Sequence, residues 1–139
     1  MSSILVAVDG SKNALRAVHY AASHAKLTAS EVHVLNVQAI PDYYGMVGAY
    51  RTELRKLVSQ RSHAILNVAS KRLNRAGVPH TVHTAYGDIA PAIVRTARRL
   101  RCSSIVIGTR GLGPVATLVL GSVARAVVHL SSVPVTLVK

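Results

Sequence analysis

Residues 104–128 read SIVIGTRGLGPVATLVLGSVARAVV, and the fold turns on them. The segment opens on a short β-branched run that glycine cuts off, as expected of a strand buried on both faces. It closes on GSVARAVV, whose apolar residues recur at helical spacing. Strands without a polar face belong to parallel sheets whose crossovers are helices, so this strand–loop–helix segment is one unit of a doubly wound α/β fold. The loop between is unusually rich in glycine, at 108, 111, 113 and 121. Gly108 and Gly111 permit positive φ and close backbone approach, so the loop is expected to aim amides inward as an anion nest. Gly121 and Ser122 open a helix whose free N–H groups and dipole favour a phosphate.

The same alternation extends to both ends of the chain. The apolar run 3–9 reads as the first strand, and Ser11 as the N-cap of a helix that carries Leu15, Val18, Ala22 and Ala25 on one stripe. EVHVLNV is the second strand, and Pro41 with two glycines marks the loop after it. A long helix runs from Ala49 to Ala76 and stops at Gly77, with Pro79 beyond. HTVHTAY alternates as a third strand; Asp88 is expected to cap the helix that follows, with Pro91 in its first turn. PVTLVK closes the chain as a fifth strand. The expectation is a single domain, 1–139, with a five-stranded parallel sheet in the order 3-2-1-4-5 between two helical layers. In such sheets ligands bind beyond the carboxyl ends of the strands, where the order reverses. Asp9 and Gly10, leaving strand one, would then face Gly108 at the end of strand four.

Composition narrows the function classes. The chain has 139 residues, half of them hydrophobic, with no Phe or Trp, so the core must be aliphatic. Arg110 and Arg125 interrupt the longest apolar stretch before the roughly 18 residues of a membrane span. The first residues lack the basic region and length of a signal sequence, and the lone Cys102 cannot form an internal disulfide. A soluble, cytoplasmic protein is expected, with Cys102 a small buried hydrophobe. The net charge of +12 raises nucleic acid or another anion as a partner. The cations cluster in helical segments: Arg51, Arg55, Lys56 and Arg61; Lys71, Arg72 and Arg75; Arg95, Arg98, Arg99 and Arg101. Apolar residues between them, Leu54, Val58, Ile65, Val68, Leu73, Ile93, Val94, Ala97 and Leu100, are expected to be buried, leaving the charges on solvated backs. Without stacking aromatics or a recognition helix, any nucleic-acid contact would be phosphate-driven and sequence-blind.

Familiar phosphate motifs are missing. No Gly-Lys-Ser/Thr follows strand one and no G-x-G-x-x-G stands in its first turn. A phospho-receiver would need an acidic cluster where this chain supplies Asp9 alone, and DGSKNA makes a poor flavin phosphate loop. What remains is G-2x-G-9x-G-S, matched without a gap by Gly108, Gly111, Gly121 and Ser122.

With ILVAVDGS, YGDIAPAIVRTA, IVIGTRG, LGSVARAVV and VPVTLVK, that motif makes the chain resemble the nucleotide-binding branch of the universal stress proteins over almost its whole length. The resemblance implies an adenine nucleotide alpha hydrolase-like fold and ATP bound with Mg²⁺. Asp9 would hold the ribose or reach the metal-bound phosphates, Ala7 and Val37 would line the base pocket, and Gly108, Arg110, Gly111, Gly121, Ser122 and Val123 would wrap the phosphates. Arg110 stands where the family often has His, a fixed positive charge in place of a titratable one. Relatives in the superfamily include adenylating and ATP-pyrophosphatase enzymes, but SGGxDS and HIGH are absent here, and no acid/base pair stands ready to activate water. The implied function is a non-catalytic or very slowly hydrolysing stress-response module whose nucleotide state modulates assembly or partners. An ATP-independent interaction protein and a basic nucleic-acid accessory are the alternatives.

Other residues are less pointed. His80 and His83 fall on opposite faces of one strand and cannot share a metal; His19, His24 and His129 read as surface or satisfied histidines. Tyr43 and Tyr44, in the loop after strand two, could stack on a base or serve a dimer contact. Finally, strand 134–138 has no helix after it to cover its outer edge, so a homodimer is expected in which it runs antiparallel to its copy. Thr136→Pro is the substitution expected to disturb that edge.

Overall fold

The computed structural model describes residues 1–39, 48–110 and 120–139. The elements alternate: β1 (Ser3–Ala7), α1 (Lys12–Thr28), β2 (Glu31–Gln38), α2 (Ala49–Ala76), β3 (His80–Tyr86), α3 (Ile89–Arg99), β4 (Ser104–Gly108), α4 (Ser122–Leu130) and β5 (Val135–Val138). All strand pairings are parallel, in the order β3-β2-β1-β4-β5. Alternation along each strand divides the core in two. Ile4, Val6, Val32, Val34 and Val106 pack under α1 and α2 with Val18, Leu66 and Leu73. Leu5, Ala7, Leu35, Ile105 and Ile107 pack under α3 and α4 with Ile93 and Val127. β1 and β4, adjacent at the middle of the sheet, are the most deeply buried strands, as their unbroken apolar runs require.

Helix ends follow local chemistry. Ser11 caps α1, its hydroxyl accepting the Ala14 N–H at 3.0 Å. Asp88 occupies the N-cap position of α3 with extended backbone, but its carboxylate makes no capping bond, contrary to expectation. Gly77 ends α2 at φ 70, and the Val78 N–H turns back to the Leu73 carbonyl. α1 and α3 end the same way without glycine: Ala29 (φ 52) and Arg101 (φ 55) take the left-handed conformation, and Ser30 and Cys102 donate back to Ala25 and Ala97.

The buried face of α2 is Ser62, Leu66, Ala69 and Leu73; Val68, expected inside, is 47% exposed because it sits about 100° around the helix from that stripe. The clustered cations of α2 and α3 are exposed, as expected of solvated backs. Cys102 is buried, and desolvation pushes its thiol pKa up, as befits an inert core residue.

β5 is a sheet edge. The N–H groups of Ile105 and Thr109 donate to the carbonyls of Pro134 and Val138. Parallel alternation therefore turns the Thr136 amide inward toward β4 and leaves Val135 and Leu137 to present the free edge. Thr136→Pro would break the ladder inside the sheet; an edge test belongs at Leu137, which is partly exposed.

Candidate functional site

Where β1 and β4 end side by side, the chains leaving them diverge to opposite faces of the sheet, and a cavity of about 310 Å³ opens between them. Its apolar wall is Ala7, Val8, Leu35 and Val37 from β1, β2 and the turn after β1, with Ile89 and Ile93 from α3. Its polar rim is Asp9, Thr109, Arg110, Gly121 and Ser122. Of the residues singled out from sequence, Ala7, Asp9, Val37, Gly108, Arg110, Gly121, Ser122 and Val123 all line this one space. Gly111, Tyr43 and Tyr44 lie outside the described residues. Leu35, two residues before Val37 and so on the same face, also lines the cavity; Ile89 and Ile93 carry no local signal of this, since only the packing of α3 brings them there.

The polar rim is braced by the backbone. Asp9 accepts the Ser11 N–H on Oδ1 at 2.9 Å, which fixes its carboxylate at the turn into α1 and leaves the other oxygen with its lone pairs. The Thr109 N–H donates to the Val138 carbonyl at 2.9 Å, the Gly121 N–H to the Thr109 carbonyl at 2.7 Å, and the Arg110 N–H to Asn13 Oδ1 at 2.8 Å. These three amides are therefore spent within the protein rather than aimed at an anion. Among the described residues, the first turn of α4, at Ser122, Val123 and Ala124, offers backbone donors that no side chain caps. A second donor is the Arg110 guanidinium, fixed in charge at the cavity rim.

At Gly108 and Gly121 close approach, and not positive φ, is what the structure shows. Neither Gly108 nor Gly121 has positive φ. A Cβ on Gly108 would run into the Asn13 side chain, overlapping its Oδ1 and standing 2.9 Å from its Cγ. A Cβ on Gly121 would stand 3.0 Å from the Thr109 carbonyl oxygen. Gly108 is kept bare by close approach of another chain segment and Gly121 is tight against one; backbone conformation requires glycine at neither.

A separate titratable cluster lies between β2 and β3, away from the cavity. His33 Nδ1 and His83 Nε2 are 3.0 Å apart, and His33 Nε2 is 3.5 Å from Glu31 Oε1. Burial lowers the His83 pKa, with further lowering by His33 and then Arg99. His80 points to the other face and bonds Ser70, so the two β3 histidines are separated as the alternation implied. No group of three or more metal-ligating side chains occurs among the described residues, and no helix among them is long and apolar enough to cross a membrane.

Comparison with known proteins bears on the same site. The chain is 32% identical to a universal stress protein of Thermus aquaticus over 99% of its own length and 98% of that protein's. Its structure is similar to that of the universal stress protein from Archaeoglobus fulgidus in complex with dAMP (TM-score 0.71, 27% identity, 100% and 98% of the two chains). It is likewise similar to a universal stress protein in complex with cAMP (TM-score 0.73, 25% identity, 99% and 96%). The model of the Universal stress protein family matches residues 1–139 from end to end, and the chain belongs to that family.

Proposed function

We propose that the cavity binds ATP accompanied by Mg²⁺, and that the protein is a cytoplasmic, dimeric universal stress protein that hydrolyses its nucleotide slowly or not at all. The observation that carries the reading is the division of one cavity into an apolar wall and an anion-receiving rim. Val37, Leu35 and Ile93 offer a base a dry surface, while the uncapped start of α4 and Arg110 offer a phosphate chain donors and positive charge. Asp9, between the two, suits a ribose hydroxyl through its unshared carboxylate oxygen, or a water of the magnesium shell. The dAMP and cAMP complexes of the structural relatives support an adenine nucleotide as the ligand class. Among the described lining residues only Asp9 is acidic and none is a histidine. The bound state acts by changing which surfaces the protein presents.

Ser122→Asp tests this, because its two effects have opposite sign. A carboxylate at the start of α4 favours the helix dipole and stabilises the free protein by about 0.3–1 kcal/mol. The same charge opposes a phosphate at that position. Calorimetric titration with Mg-ATP is expected to show binding by the parent, and affinity reduced about tenfold or more in Ser122→Asp, a loss of at least about 1.4 kcal/mol. A parent whose melting point and heat signal do not respond to millimolar Mg-ATP refutes the proposal.

A further inference from the structure

Asn13 is a buried polar residue, 6% exposed, in the first turn of α1, and it does not line the cavity. Both ends of its amide are used, and their partners are far apart in sequence. Nδ2 donates to the Val138 carbonyl at 3.1 Å, and Oδ1 accepts the Arg110 N–H at 2.8 Å. A carbonyl on one side and an N–H on the other leave one orientation for the amide. The same Val138 carbonyl receives the Thr109 N–H, and the Thr109 carbonyl receives the Gly121 N–H at the start of α4. The two residues that carry β4 into the rim of the cavity, and the N-cap of α4, are thus hydrogen-bonded into one network with the last residue of the edge strand. Gly108 is bare of a side chain where the Asn13 amide sits, so the packing around the link leaves it no slack.

We infer that Asn13 is a positioning residue that couples occupancy of the nucleotide cavity to the seating of β5. The inference rests on the nucleotide reading above and goes beyond it, since it names the route by which a bound ligand reaches a surface that a second chain could use. A ligand that orders Thr109 and Arg110 strengthens the bonds those residues share with Asn13 and Val138. β5 then opens less often. By linkage the converse holds: a strand that holds β5 down favours the occupied cavity. The network joins five residues by four bonds, so removing the Asn13 amide cuts the route from Arg110 to Val138 and leaves the direct Thr109–Val138 bond and the cavity wall in place.

Hydrogen exchange over residues 134–139, at saturating Mg-ATP and without it, reads the coupling directly. In the parent the ligand is expected to slow exchange there about 5-fold or more, the lower range of ordinary allosteric coupling. In Asn13→Ala the slowing should shrink to the part that the direct Thr109–Val138 bond carries, at ATP concentrations that saturate the variant by calorimetry. Asn13→Asp is the conservative control: it keeps the acceptor for the Arg110 N–H and loses the donor to Val138, so its slowing should be reduced as well. A merely structural role would raise exchange in both states and leave their ratio unchanged; an unchanged ratio in either folded variant overturns the inference. Loss of ATP binding by both variants would make Asn13 part of the binding site rather than a link and also overturns it. If the parent itself gives no calorimetric heat with Mg-ATP, the nucleotide reading has failed and this one falls with it, whereas a parent that binds without slowing β5 exchange defeats the coupling alone.

Discussion

Gly108→Ala is the smallest change that puts the packing at the site to a quantitative test. The added methyl would overlap Asn13 Oδ1, stand 2.9 Å from Cγ and 3.2 Å from the Asn13 carbonyl oxygen. The side chain can swing away, but it then gives up its bonds to Arg110 and Val138, at about 0.5–1.5 kcal/mol each. Holding the side chain in place and moving α1 instead costs about 1–3 kcal/mol of overpacking. Either route destabilises the protein by about 2 kcal/mol. Asn13→Ala alone loses the same two bonds and leaves their partners in part-buried surroundings, a loss of about 2 kcal/mol. The double variant has already lost the bonds and removed the obstacle, so its cost should be close to that of Asn13→Ala, raised a little by the backbone oxygen that remains at 3.2 Å. Urea unfolding followed by circular dichroism should therefore give a double variant about 2 kcal/mol more stable than the sum of the singles predicts. Additivity within about 0.5 kcal/mol would refute the reasoning and mean that Gly108 is required for something other than the amide of Asn13.

The remaining predictions concern the rest of the chain. Because the folded His83 pKa lies below the ordinary 6.5, its neutral form is favoured by folding; that contribution is complete above pH 6.5 and is lost as the pH falls from there through the folded pKa. Unfolding midpoints measured from pH 7.5 to 5 should fall less steeply in His83→Gln than in the parent, and an equal slope would exclude this histidine as a source. Ala29→Gly relieves a left-handed alanine at the end of α1 and should raise stability by about 0.5–1 kcal/mol after the entropy of a freer unfolded chain is deducted; a thermal melt showing a loss would refute the strain. If β5 pairs with its copy, Leu137→Lys puts like charges across the two-fold and should shift the protein toward monomer in multi-angle light scattering at micromolar concentration, without moving the Mg-ATP affinity. A parent that is already monomeric there defeats the dimer.

The elements and their order were legible in the sequence because their signals are local. Apolar runs at β1 and β4, the cap at Ser11, the stop at Gly77 and the glycine after β4 each follow from the residues themselves. Strand alternation with helices implies a parallel sheet, and the ends of β1 and β4 point to Asp9, Gly121 and Ser122, whereas Val37 and Arg110 follow only from the family resemblance; all five line one cavity. What local pattern could not supply is the partner of each group. A glycine looks the same whether its φ is positive or another segment presses against it, and at Gly108 and Gly121 the tertiary contact was the reason. An asparagine in a helix's first turn reads as surface until the fold brings Val138, 125 residues away in sequence, to its amide. The His33–His83 pair depends in the same way on the register of β2 against β3, which sets Leu35 opposite His83. Short-range chemistry chose the elements and the edge of the sheet that carries the site, and only long-range packing decided which donors at that edge are spent and which remain free.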